Sequence, residues 1–305
     1  MRNKSSDRRG EGRTGKSFKK DSSRPDGKGK FKQKSDGKFG KKNEGFAKKN
    51  FKPAPFRKRS SAQPEEKEEK EEIRLNKYIA NSGVCSRREA DIFIQNGVVE
   101  VNGKIITEFG YQVKPGDEVF FDGRYIRPEK NVYVLLNKPK GYISTTKDEK
   151  ARKTVMDLVT NASPYRLYPV GRLDRQTTGV LLLTNDGNLT KKLTHPSHEV
   201  KKIYHVTLDK KVSQDDFNRL LEGLRFEEGL AKVDKISYIE KSPKNEVGVE
   251  IHIGWNRIVR RMFERLGYEV EKLDRVMFAG LTKKSLKRGY WRILTDLEVS
   301  TLKML

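Results

Sequence analysis

The first seventy residues hold no Ile, Leu or Val, and that absence confines folding to the remainder of the chain. Lys, Gly, Ser and Asp recur there around isolated phenylalanines at Phe18, Phe31, Phe39, Phe46, Phe51 and Phe56. Such a stretch cannot bury enough apolar surface to offset the entropy of ordering, so residues 1–72 are expected to form a disordered tail. Residues 1–60 carry 22 Lys/Arg against 6 Asp/Glu, a net +16. The run SAQPEEKEEKEE carries −4, which leaves +12 of the total +24 on the remaining chain. Tail and body are both basic, so a polyanionic partner is expected. Basic residues interleaved with aromatics suit loose contact with phosphates and unstacked bases, although a merely solubilising tail has the same composition. No apolar run reaches spanning length and no signal-peptide pattern is present, so no membrane partner is expected. The single cysteine, Cys85, excludes an internal disulfide and fits a reducing, cytoplasmic location.

From Ile73 the apolar spacing turns helical. Leu75, Tyr78 and Ile79 share one face, and Gly83 is placed to end the helix. In SRREADIFIQNG, Ser86 and Glu89 form a capping-box signature. Ala90, Phe93 and Ile94 supply its apolar stripe, and Gly97 stops it. VVEVNGKII reads as two short strands joined by Asn102-Gly103, the dipeptide that best favours a two-residue hairpin. A turn at Pro115-Gly116 precedes DEVFFDG. Arg87 and Arg88 fall in a helical first turn, where free backbone N–H groups also favour anions.

A larger domain begins at VYVLLNKPKGYIST, an apolar strand ending at Lys138-Pro139. Further on, RLYPVGRLDRQTTGVLLLTNDGNL reads as strand, irregular loop, strand and a turn into a helix. The continuous apolar runs YPV and VLLL are what a sheet buried on both faces requires. Between them lies the polar loop of residues 171–179, where a rigid scaffold can present a reactive group. Asp174 has Arg172 and Arg175 as neighbours, and such cations favour the ionised carboxylate. The residues alone leave open whether Asp174 is reactive or a salt-bridged hairpin aspartate.

The order RLNKYIANSGVCSRREADIFIQNGVVEVNG resembles the S4 RNA-binding module through almost its full length. VGRLDRQTTGVLLLTNDG resembles the signature of RsuA/RluB-type pseudouridine synthases. That family also shows an S4 module in front, an NKPKG segment and HPS…KxYxV downstream, and all occur here in order over residues 73–295. The resemblance implies that Arg74, Lys77, Arg87 and Arg88 face RNA phosphates, and Lys138 of the NKPKG segment is expected to contact RNA with them. It implies Asp174 as the catalytic aspartate and Tyr204, in KKIYHVTL, as the active-site tyrosine against the target base. In NRIVRRMFERLG it implies Arg260 as the guanidinium paired with the aspartate, with Arg261 the runner-up. Arg172, Leu173, Arg175, Thr178 and Arg261 would surround the substrate, and Leu294 would supply an apolar wall. The family usually has Gln where Ile258 stands, so one polar contact is expected to be missing.

The implied fold is α+β: a disordered tail over 1–72, an S4 domain over 73–130 and a pseudouridine synthase domain over 131–305. Its sheet is expected to be mixed and mostly antiparallel, flanked by helices, with the active cleft across its middle. The implied activity is isomerisation of a uridine to pseudouridine in ribosomal RNA, of the large subunit by the closeness of TTGVLLLTNDG and HPSHEV to that branch. The alternatives are a small-subunit target, or a non-catalytic RNA-binding assembly factor. The expected partner is ribosomal RNA or a pre-ribosomal particle, and the chain is expected to be a monomer. The reaction is redox-neutral and non-hydrolytic, so no cofactor is expected. No metal is expected either: His195 and His198 are three apart, but Pro196 separates them and no Cys or carboxylate pair stands near. Nucleophile-elbow, phosphate-loop and dinucleotide fingerprints are absent from the sequence.

Overall fold

The computed structural model describes residues 72–305, so the expected disordered tail lies outside the described residues. The chain first forms a short helix, Leu75–Asn81, whose Leu75 and Ile79 are buried. Helicity begins two residues later than the spacing suggests. Ile73–Arg74 instead pair antiparallel with Gln112–Val113, which ties the start of the module to its far side. The second helix, Arg87–Gln95, has the expected capping box: Glu89 N donates to Ser86 Oγ at 3.3 Å, and Ser86 N donates to Glu89 Oε2 at 2.8 Å. Asn102 and Gly103 both adopt positive φ, 51° and 75°, as the two-residue hairpin turn between Val99–Val101 and Lys104–Ile105 demands. A four-stranded sheet, which also includes Val119–Phe121 and Arg124–Ile126, closes over a core of Leu75, Ile79, Ala90, Ile94, Val99 and Val119.

A nine-stranded sheet organises the rest of the chain. Its main path runs Lys235–Tyr238, Glu246–Ile251, Lys202–Leu208, Val270–Phe278, Thr178–Thr184, Tyr133–Lys138 and Trp291–Ile293. All its pairings are antiparallel except one. The expected mixed, mostly antiparallel sheet is therefore the observed one.

Both faces of the sheet are covered, and this explains the uninterrupted apolar runs. Leu181 and Leu183 face one core with Val134 and Leu136, while Val180 and Leu182 face the other with Tyr133 and Leu135. The first core is closed by the helices Val155–Val159, Gln214–Glu222 and Ile258–Arg265. The second is closed by Gly187–Thr194 and Asp296–Met304.

The single parallel pairing sits in the middle of the path and is only two residue pairs long, Asp274 with Thr178 and Arg275 with Gly179. Gly179 makes that crossing possible. It lies at φ +108°, and a Cβ there would collide with the Arg275 carbonyl oxygen. The loop of residues 171–177 leads directly into this short crossing. The sheet's weakest seam is thus where a cavity can form.

Candidate active site

A cavity of about 470 Å³ opens at this seam. Its lining brings together Leu173, Asp174 and Thr177 from the loop, Tyr204 from the Lys202–Leu208 strand, and Leu273, Arg275 and Phe278 from the adjacent strand. The size and mixed polar–apolar character match a site for one small planar group.

Asp174 is half-buried on this wall. Its carboxylate accepts only a long bond, 3.5 Å, from Thr177 Oγ1. Its backbone is held far more tightly than its side chain. Lys138, fully buried, donates from Nζ to the carbonyls of Thr177 at 2.8 Å, Asp174 at 3.1 Å and Pro139 at 3.2 Å. One ammonium therefore anchors both ends of the loop that presents the carboxylate. Burial pulls the Lys138 ammonium down to about 8, while the Asp174 charge acts to raise it and Arg275 to lower it. The placement corrects the expectation that Lys138 contacts RNA: a fully buried group spent on carbonyls cannot reach a phosphate.

Tyr204 is buried and lies directly opposite Arg275 in the antiparallel ladder. Arg275 is itself buried, donates from Nε to the Val180 carbonyl at 2.8 Å, and has its guanidinium beside the Tyr204 hydroxyl. Burial lowers its proton affinity, and the tyrosine oxygen works against that loss. Sequence reasoning missed Arg275. The available signal was a charged residue two places after Leu273 in a strand, on the inward-facing alternation.

Arg260 is buried in the helix Ile258–Arg265, and its Nη1 donates to the Val270 carbonyl at 2.7 Å. Burial and the neighbouring Arg257 charge lower its proton affinity, the Asp174 charge works against them, and no salt bridge joins Arg260 to Asp174 among the described residues. The expected direct pairing is not observed: Arg260 is anchored on the backbone and is not among the residues that line the cavity. Its Nε has no hydrogen-bond partner among the described residues. Ile258, where a Gln was expected, lines the cavity as an apolar wall.

The other expected positions divide. Arg172 and Leu173 line the cavity. Arg175 lines a neighbouring cavity and donates from Nε to the Gly141 carbonyl at 3.3 Å. Thr178 instead donates from Oγ1 to Asp274 at 3.0 Å, inside the parallel crossing. Arg261 points away from the cavity, paired with Glu228 at 2.6 Å and lying over Phe226. Leu294 packs in the core with Tyr133 and Leu135 and is not among the residues that line the cavity, which corrects its expected role as a pocket wall. In the amino-terminal module Arg74, Arg87 and Arg88 are exposed. Lys77 reaches Asn188 of the larger domain at 2.6 Å. His195 lines the cavity with its Nδ1 2.7 Å from Ser197 Oγ. Two further cavity residues went unnoticed in the sequence: His252, bonded through Nδ1 to Asp234 at 2.8 Å, and Trp255.

Known proteins match the chain on both sides of this geometry. The family description "RNA pseudouridylate synthase" matches residues 132–265, and "S4 domain" matches residues 73–119. The chain is 44% identical to the ribosomal large subunit pseudouridine synthase B of Bacillus subtilis, over 76% of this chain and 96% of that protein. It is 40% identical to the dual-specificity RNA pseudouridine synthase RluF of Escherichia coli, over 75% of this chain and 78% of that one. A crystal structure of a pseudouridylate synthase superposes with a TM-score of 0.54 at 32% identity, covering 75% of this chain and 99% of that one.

Proposed function

The chain belongs to the RNA pseudouridylate synthase family, and from that premise we propose that it isomerises one uridine in large-subunit ribosomal RNA with Asp174 as the reactive carboxylate. The observation that carries this reading is the position of Asp174 on the cavity wall, its backbone held by the buried Lys138 and its carboxylate in no ion pair among the described residues. The name and coverage of the Bacillus subtilis relative support the large subunit as target.

The reaction breaks the bond from C1′ of the ribose to N1 of uracil and forms one from C1′ to C5. The hydrogen leaves C5, N1 regains one, and no electrons are exchanged with the surroundings. Asp174 acts at the sugar, as a nucleophile on C1′ or as a base at C2′, and both routes need it ionised and fixed. Lys138 fixes it through the backbone, by donating to the Asp174 carbonyl. The detached uracil must turn without escaping. Tyr204 supplies a flat face for that turn, with Leu173, Ile258 and Leu273 as apolar sides. Arg275 stands opposite the tyrosine in the ladder and keeps a buried positive charge beside it.

A uridine inside a helix cannot reach this cavity, so the nucleotide is extruded at a cost of a few kcal/mol. Residues 73–130 are proposed as the S4 domain that holds the surrounding RNA, with Arg74, Arg87 and Arg88 on phosphates, and residues 131–305 as the catalytic domain. The enzyme is proposed to work as a cytoplasmic monomer on free RNA or a pre-ribosomal particle. Mapping pseudouridines in ribosomal RNA from cells with and without the protein tests the function. Loss of one large-subunit modification is expected, and an unchanged map would remove the activity.

A further inference from the structure

A second cavity, of about 580 Å³, adjoins the one that holds Asp174. The two share residues 171–174 on one side, and Gly254, Trp255 and Arg257 on the other. Trp255 is half-buried, and the edge of its indole rests on Gly229, where an added Cβ would stand 3.4 Å from Cη2. The ring also packs against the apolar core, which leaves it only partly exposed. Its faces carry no cation and no second ring among the described residues, whereas Phe226 has Arg261 and Arg265 over it at 4.8 and 5.9 Å. Exposed guanidiniums surround the outer cavity. Arg152 and Arg257 are engaged by Asp148 and Glu264, but Arg172 and Arg175 have no carboxylate partner among the described residues.

We propose that this outer cavity is a subsite for the nucleotide adjoining the target uridine, with its base stacked on Trp255 and its phosphate met by Arg172 and Arg175. The inference rests on the pseudouridine synthase reading, because it takes the target uridine to fill the inner cavity. The chemistry comes from the two features together. A half-exposed aromatic ring on the cavity wall attracts an unstacked base, and guanidiniums with no carboxylate partner beside it attract the phosphate that comes with that base. Extruding one uridine also deprives its neighbour of a stacking partner, and Trp255 replaces that partner at the point where the strand turns inward. This makes Trp255 a determinant of which strand conformation is accepted, while Asp174 acts on the sugar.

The test uses the full-length protein and a synthetic RNA hairpin spanning the modified uridine, with an abasic nucleotide placed at each flanking position in turn. One of the two abasic substitutions should lower kcat/KM about tenfold in the wild-type protein, in line with the worth of one base–aromatic stack. Trp255→Ala should lose about as much on the intact hairpin, and the combination should lose no more than either alone. Trp255→Phe should stay within about threefold, because a ring is retained. Independent, additive losses would overturn the subsite, and so would no loss from either change. Turnover of the intact hairpin by the wild-type protein reports on the pseudouridine synthase reading alone. If that turnover is absent, fluorescence still decides the subsite. In a Trp291→Phe background, which leaves Trp255 as the only tryptophan, a short oligouridylate should quench emission and the abasic oligomer of equal length should not. Equal quenching by both, or none by either, overturns the proposal.

Discussion

Cations serve opposite purposes in the two domains. In the S4 domain Arg74, Arg87 and Arg88 lie exposed, and their charge is free to meet whatever polyanion approaches. In the cleft Lys138, Arg260 and Arg275 are buried, and each is tied to backbone carbonyls by its own donors. The exposed set can contribute affinity that salt weakens. The buried set contributes geometry that salt barely reaches, because there is little solvent to screen it. The same residue types act as a handle in one place and as a frame in the other.

The comparison breaks most visibly at Lys138. Lys138→Met should take the side-chain donor from the Thr177 and Pro139 carbonyls, cost about 2–4 kcal/mol of stability, and cut turnover at least ~100-fold as the loop carrying Asp174 shifts. RNA affinity should stay within about threefold, since no phosphate contact is lost. Chemical denaturation together with single-turnover assays would check this, and a variant that keeps its turnover would show that the loop holds itself.

Acidity separates the two sets next. Burial holds Lys138 at about 8, against an ordinary lysine value of 10.5. The native protein therefore sheds this proton before the unfolded chain does, so the group's contribution to stability rises between about pH 8 and 10.5. Activity should move the other way and fall up to ~tenfold per pH unit above about 8, as the charge near Asp174 disappears. Lys202 is also held at about 8 by burial. A pH–rate profile of Lys202→Met should keep the alkaline limb, and loss of the limb would assign it to Lys202 instead.

The exposed set gives smaller, salt-dependent effects. Arg87→Ala with Arg88→Ala should weaken RNA binding by about tenfold at low salt and reduce the slope of log affinity against log salt by about 2, with the single-turnover rate at saturating RNA within twofold. Filter binding across a salt series reads the slope; an unchanged slope would mean that these arginines touch no phosphate. Smallest of all, Ser86→Ala removes the cap of the helix that carries both arginines. It should cost about 1 kcal/mol in denaturant melts and leave kcat unchanged.

How far each region could be read from sequence obeys the same division. The capping box at Ser86 and Glu89, the Asn102-Gly103 hairpin and the two-faced burial of residues 180–183 are local or periodic, and the structure has them. The family motifs brought Asp174, Tyr204 and Leu173 to one cavity. Side-chain direction was less accessible. Lys138 and Leu294 lie near the right segments in sequence, yet one is consumed by carbonyls and the other is packed in a core away from the cavity, contacts that are made by residues distant in the chain. Arg261 differs from Arg260 by one helical step, and that step turns it to Glu228. Arg275 depends on a cross-strand partner separated by about seventy positions, a pairing no local pattern encodes.

Asp174→Asn is the direct measurement, with ribosomal RNA from cells lacking the protein as substrate and pseudouridine formation and RNA affinity read on the same preparation. No product, with affinity within a few-fold of the wild-type protein, is the predicted result. Pseudouridine formed at a wild-type rate would contradict the assignment of the chemistry to that carboxylate.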